Sequence, residues 1–100
     1  MENKLLKIIN NYGVLNQVRQ FNEECYELTE AIFDYEYTET PNEKLKEHIV
    51  EELADVMVML SQFKEYYHID GNDILKVMNE KIDRQLERMR WEDEGNWFIK

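Results

Sequence analysis

The chain has one cysteine, one proline and three glycines in 100 residues, and little positive charge, with 12 basic residues against 22 acidic ones. A single cysteine, Cys25, excludes an intramolecular disulfide and a cysteine-rich zinc site, and agrees with a reduced, cytoplasmic setting. Its place on an apolar stripe among acids suits a packed core residue better than a nucleophile. There is no glycine-rich phosphate loop and no serine triad. No apolar run reaches membrane length, and the opening Met1-Glu2-Asn3-Lys4-Leu5-Leu6-Lys7-Ile8-Ile9 has no long apolar core, so a soluble, cytoplasmic protein is expected. The net charge of -10 argues against direct contact with nucleic acid or an anionic membrane. A polyanionic ligand would approach such a protein only together with cations. One hundred residues make one domain, 1–100, with a modest core that association would help to complete.

What is present is helical periodicity. Leu5, Ile8, Ile9 and Tyr12 mark a short helix over residues 2–12, stopped near Gly13. Val14, Val18, Phe21, Cys25, Leu28 and Ile32 step by four and three, which predicts a second helix over 14–35. The segment 35–42 loses the period and contains Pro41, so it is a loop, and Asn42 is placed to cap the next helix. Ile49, Leu53, Val56, Leu60, Phe63 and Tyr67 predict that third helix over about 43–67. A turn at Asp70-Gly71 leads to a fourth helix over 73–90, with Leu75, Met78, Ile82, Leu86 and Met89 on one face and Lys81, Arg84, Arg88 and Arg90 beside it. Residues 91–100 form a tail whose Trp91, Trp97, Phe98 and Ile99 need a surface to dock on. No strand pattern or repeat appears. The expected fold is all-α, an antiparallel bundle of about four helices completed by oligomerisation.

The acids carry the functional signal by position and not by spacing, since acidic pairs three apart are common in so acidic a chain. Glu36/Glu39, Asp70/Asp73 and Glu80/Asp83 fall in loops, at a helix start or beside basic residues. Glu24/Glu27 and Glu52/Asp55 border the apolar stripes of two long helices joined by one loop, which therefore run antiparallel and can bring four carboxylates together. Asp55 stands inside the apolar run Leu53-Ala54-Asp55-Val56-Met57-Val58-Met59-Leu60, where an unpaired carboxylate would cost several kcal/mol and asks for a counter-charge. Four hard oxygen ligands without histidine or cysteine suit Mg²⁺ or Mn²⁺, which commonly bridge to substrate phosphates.

Glu23-Glu24-Cys25-Tyr26-Glu27, followed after residues 28–51 by Glu52-Leu53-Ala54-Asp55, resembles the EExxE…ExxD signature of the MazG-like nucleoside triphosphate pyrophosphohydrolases. Gln17 and Gln20 before the first acids, the apolar run after Asp55 and the later Asn79-Glu80-Lys81 extend the similarity over about residues 14–90. The resemblance implies an all-α fold, a homodimer or dimer of dimers, Mg²⁺-dependent hydrolysis of a nucleoside triphosphate to the monophosphate and pyrophosphate, and metal ligands at Glu24, Glu27, Glu52 and Asp55. It implies further a supporting or water-orienting role for Glu23, substrate contacts from Gln20 and Asn79, and phosphate binding by Lys81 and Arg84. Ile82 follows Lys81 where many members carry an aromatic residue, and Arg84 comes three positions on where the family has a basic residue four on, so Arg88 competes with Arg84 for that role. The alternative is a helical oligomerisation or partner-binding module that keeps the fold without catalysis. A di-iron carboxylate bundle would need two Glu-x-x-His motifs, and the chain has one, Glu65 to His68; His48 and His68 read as surface or helix-end residues.

Overall fold

The computed structural model describes residues 3–94. Four helices follow in order: α1 Lys4–Tyr12, α2 Val14–Glu36, α3 Glu43–Tyr66 and α4 Gly71–Asp93. No strand occurs among the described residues, and the fold is all-α. Trp97, Phe98 and Ile99 of the expected tail lie outside the described residues.

Each helix start has a local cause. The Asn3 side-chain oxygen accepts from the Leu6 amide at 3.1 Å, and that of Asn42 accepts from the Leu45 amide at 3.1 Å, so both satisfy a donor that the helix itself leaves without a partner. Glu43 adds an acid to the positive end of α3. Between α1 and α2 the chain turns at Gly13 alone, with φ 90°, a conformation that other residues rarely adopt. α3 ends where His68 takes a left-handed conformation, φ 54°. Asp70, read from the sequence as part of a turn, is the N-cap of α4 and accepts from the Asn72 amide at 2.8 Å. α4 continues to Asp93, so Trp91 belongs to the helix and not to a tail; its indole N–H donates to Glu87 at 3.2 Å.

The chain divides into two compact units, the first ending at His68 and the second beginning at Ile69. In the first, α2 and α3 pack along their length, and α1 packs chiefly on α3. The pairing is antiparallel: Gln17 meets Gln62, whereas Glu24, further along α2, meets Glu52 and Asp55, nearer the start of α3. Ile9 of α1 is fully buried, a contribution of about 1.5–3 kcal/mol. Phe21 and Phe63 meet edge to face with centroids 5.7 Å apart, and Ala31 and Met59 are buried.

The seam between α2 and α3 is not the stripe that periodicity marks. On α2 the least exposed positions are Val14, Gln17, Phe21, Glu24, Leu28, Ala31 and Tyr35, with Cys25 half-buried; on α3 they include Leu45, Ile49, Glu52, Val56, Met59 and Gln62. Half of the expected stripe is shared, notably Phe21, Leu28, Ile49, Val56 and Phe63. At the alternate positions the packed residue is the one before the apolar residue, so Val18, Ile32, Leu53, Leu60 and Tyr67 remain exposed. Each helix is apolar over a wider arc than one neighbour covers. The acids that sequence placed beside the seam therefore include two, Glu24 and Glu52, that stand in it.

Candidate active site

Glu24 of α2 and Glu52 and Asp55 of α3 each place one carboxylate oxygen within 4.8 Å of the others. Residues 52 and 55 share a helix face because they are three apart, and the antiparallel pairing brings Glu24 opposite them. Burial grades across the three. Glu52 is 8% exposed, Glu24 is half-buried and Asp55 is exposed. The carboxylate taken out of water is thus Glu52, and the expectation that Asp55 is the buried acid is corrected: the rotated seam carries position 52 inward and position 55 to its rim.

One oxygen of Glu24 and one of Glu52 each face the residue four positions earlier. The Gln20 amide nitrogen donates to Glu24 Oε1 at 2.8 Å, and His48 Nε2 stands 3.8 Å from Glu52 Oε1. The second oxygens, Glu24 Oε2 and Glu52 Oε2, are buried with no hydrogen-bond partner. The basic residues of α2 and α3 are Arg19, Lys44, Lys46 and Lys64, and none of them forms an ion pair with Glu24, Glu52 or Asp55. Buried carboxylate oxygens without donors are costly, because desolvation is not recovered by any bond.

Glu27 joins the same group electrostatically. Its carboxyl is held above the usual carboxylate range, first by the charge of Glu24, then by partial desolvation and by Glu52. Ionising it brings another negative charge to acids that already repel. Glu23 is exposed on α2 beside Glu24, outside the group of three. The structure thus gathers Glu24, Glu52 and Asp55, couples Glu27 to Glu24 and Glu52 by charge, and leaves Glu23 exposed.

Asn79, Lys81, Arg84 and Arg88 are carried by α4, in the second unit. Lys81, Arg84 and Arg88 are spaced three and four apart and therefore share a face. Arg90 pairs with Glu87 at 3.1 Å, whereas Lys81, Arg84 and Arg88 form no ion pair among the described residues.

Two features went unseen in the sequence. His48 is exposed, as expected of a surface residue, but its approach to Glu52 was not foreseen, and its position four before Glu52 was the available signal. Gln17 donates from its side-chain amide to the Gln62 carbonyl at 2.9 Å, with both residues buried. That pair lies 45 positions apart in sequence, and only the break each glutamine makes in an apolar pattern could have marked it.

An all-α protein that gathers three carboxylates from two antiparallel helices, with a fourth coupled to them by charge and no lysine or arginine of either helix to balance them, defines a class of helix-borne acidic centre suited to a divalent cation. The MazG nucleotide pyrophosphohydrolase domain matches residues 14–89, and the chain belongs to that family. The matched region contains all four acids and the basic face of α4. Comparison with curated proteins and with solved structures gives no significant match. No helix among the described residues is long and apolar enough to cross a membrane.

Proposed function

We propose that the chain hydrolyses a (deoxy)nucleoside triphosphate to the monophosphate and pyrophosphate. The observation that supports this best is the pair of buried, unpartnered oxygens, Glu24 Oε2 and Glu52 Oε2, clustered with Asp55, in a chain of a family described by this activity. The donor set fits Mg²⁺, with Mn²⁺ as the alternative: hard oxygens, no histidine or cysteine in the cluster, and uncompensated negative charge. When bound, such a cation neutralises phosphate oxygens and so favours attack by water at phosphorus.

The remaining roles belong to side chains of the chain. Glu24, Glu27, Glu52 and Asp55 hold the cation. Glu23, exposed next to Glu24, orients the attacking water and accepts its proton. Asn79 contacts the substrate, and Lys81 with Arg84 or Arg88 binds phosphate oxygens, where cations stabilise the departing pyrophosphate. Cleavage by water needs no covalent nucleophile, in keeping with Cys25 being half-buried beside the acids. The exposed apolar flank of Val18, Ile32, Leu53 and Leu60 supports assembly into a homodimer or dimer of dimers, because such a surface usually marks a protein contact.

A panel of nucleoside triphosphates with Mg²⁺, read out as pyrophosphate against orthophosphate, tests the reading. Pyrophosphate release supports cleavage between the α and β phosphates, and orthophosphate alone contradicts it. The competing reading, a non-catalytic helical partner-binding module, is favoured by the same apolar flank. It predicts no turnover and no effect of Mg²⁺ on stability.

A further inference from the structure

The buried acids are supported by the same device on both helices. Glu24 and Glu52 each have a polar residue four positions earlier, Gln20 and His48, next to Oε1, and each keeps Oε2 buried without a partner. We propose that Gln20 and His48 are positioning residues, which hold the two carboxylates by Oε1 so that both Oε2 atoms remain available to a cation. The proposal rests on the reading above that a divalent cation is held at this cluster.

Helical geometry explains the arrangement. Side chains on an α-helix lean toward the N-terminus, so a glutamate reaches back over the turn before it and meets the residue four earlier. Gln20 and His48 are exposed, whereas Glu24 is half-buried and Glu52 is 8% exposed; the support therefore comes from the solvent side. The Gln20 contact is a hydrogen bond at 2.8 Å. The His48 contact, at 3.8 Å, is a polar approach longer than a hydrogen bond. Neither residue carries the fixed positive charge of lysine or arginine. A lysine at either place would neutralise the acid it holds and compete with a metal; the uncharged amide of Gln20 restricts the carboxylate's rotation and leaves the charge of the cluster intact. Partners of this kind, one shell behind the ligands, orient them and raise their affinity for metal. For Gln20 this role takes the place of the substrate contact that the resemblance implied.

The test is Mn²⁺ titration by electron paramagnetic resonance, together with nucleotide KM at saturating Mn²⁺, on the wild type, Gln20→Leu, His48→Leu and His48→Gln. All three substitutions fall on exposed side chains, and circular dichroism of each variant checks that helix content is kept. The expected result is a Kd for Mn²⁺ raised about 10-fold or more in both leucine variants, restored largely in His48→Gln, which keeps an N–H donor, with nucleotide KM at saturating Mn²⁺ unchanged. Wild-type Mn²⁺ affinity in both leucine variants overturns the proposal. A raised nucleotide KM with unaltered Mn²⁺ affinity also overturns it, because the residues would then contact substrate. A loss confined to one leucine variant retains the role for that residue and removes it from the other. If the wild type itself binds no Mn²⁺, the metal site and the activity proposed above fail, a result separate from an intact site indifferent to Gln20 and His48.

Discussion

Two polar clusters lie in the same seam between α2 and α3, and they are built to opposite ends. Near the start of α2, Gln17 and Gln62 are buried, neutral and bonded to each other, beside the edge-to-face pair Phe21 and Phe63. Two turns further along α2, Glu24 and Glu52 are packed by the same helices, yet each keeps a buried oxygen without a donor, and Glu27 is made harder to ionise by their charge. The contrast shows that the seam can satisfy a buried polar group where stability alone is at stake. At the acids it does not, and the unfavourable terms there mark a place for a charge that the two helices do not carry.

The largest effect should come from breaking the acidic cluster. Asp55→Asn or Glu27→Gln is expected to lower Mg²⁺-dependent pyrophosphate release by more than about 100-fold, the upper range for loss of a mere supporting side chain, with helix content by circular dichroism unchanged. If Asp55→Asn turned over substrate at the wild-type rate, the site would lie elsewhere.

Breaking the neutral cluster should do the reverse. Gln62→Ala leaves the Gln17 amide buried without its acceptor, a cost of about 1–3 kcal/mol and a fall in Tm of roughly 4 °C or more for a domain of this size. The kcat of the remaining folded protein should be unaltered. Activity lost out of proportion to folded protein would mean that the two clusters are not separate in function.

Lys81→Ala and Arg84→Ala sharpen the comparison from the substrate's side. A charge-assisted bond to phosphate contributes about 1.5–3 kcal/mol, so nucleotide KM should rise on the order of 10-fold or more, with Tm little changed because neither side chain has an ion pair to lose among the described residues. Unchanged kinetics in both variants would remove α4 from phosphate binding.

The smallest effect is one of pH. Glu27 in the folded chain holds its proton more tightly than in the unfolded chain, by the charge of Glu24 first, so the folded state binds more protons over the window between the ordinary carboxylate pKa and the raised one. Stability of the metal-free protein should therefore fall as pH rises through that window. A shallow decline in Tm is expected there, and it should flatten in Glu27→Gln. An equal slope in that variant would assign the effect to another group.

Much of the fold was legible because its signals are local. Asn42 as a cap, Gly13 as a break and the period of α2 and α3 need only neighbouring residues, and the helix limits match them closely. The approach of Glu24 to Glu52 and Asp55 was legible too, because two long helices joined by one loop pack antiparallel. Which acid is buried was not. Apolar residues flank the shared positions on α2 and α3 to one side, through Val18, Ile32, Leu53 and Leu60, and that side suggested a seam which the fold leaves open. Periodicity measures the width of an apolar face and not the part of it a neighbour covers, so Asp55, set among apolar residues, drew the expectation that belongs to Glu52. The Gln17–Gln62 bond escaped for a related reason: a contact 45 residues apart has no local trace beyond a polar residue in an apolar row.

If the buried acids are left unsatisfied to receive a divalent cation, thermal melting of the wild type and Glu52→Gln, each with and without Mg²⁺, will show it. Metal-free Glu52→Gln should melt above the metal-free wild type, because a repelling buried charge is gone. Mg²⁺ at about 100 times its Kd should stabilise the wild type by about 2.7 kcal/mol and leave Glu52→Gln nearly where it was. A wild type indifferent to Mg²⁺, or a variant that gains as much from it, would mean that the acids are not a cation site.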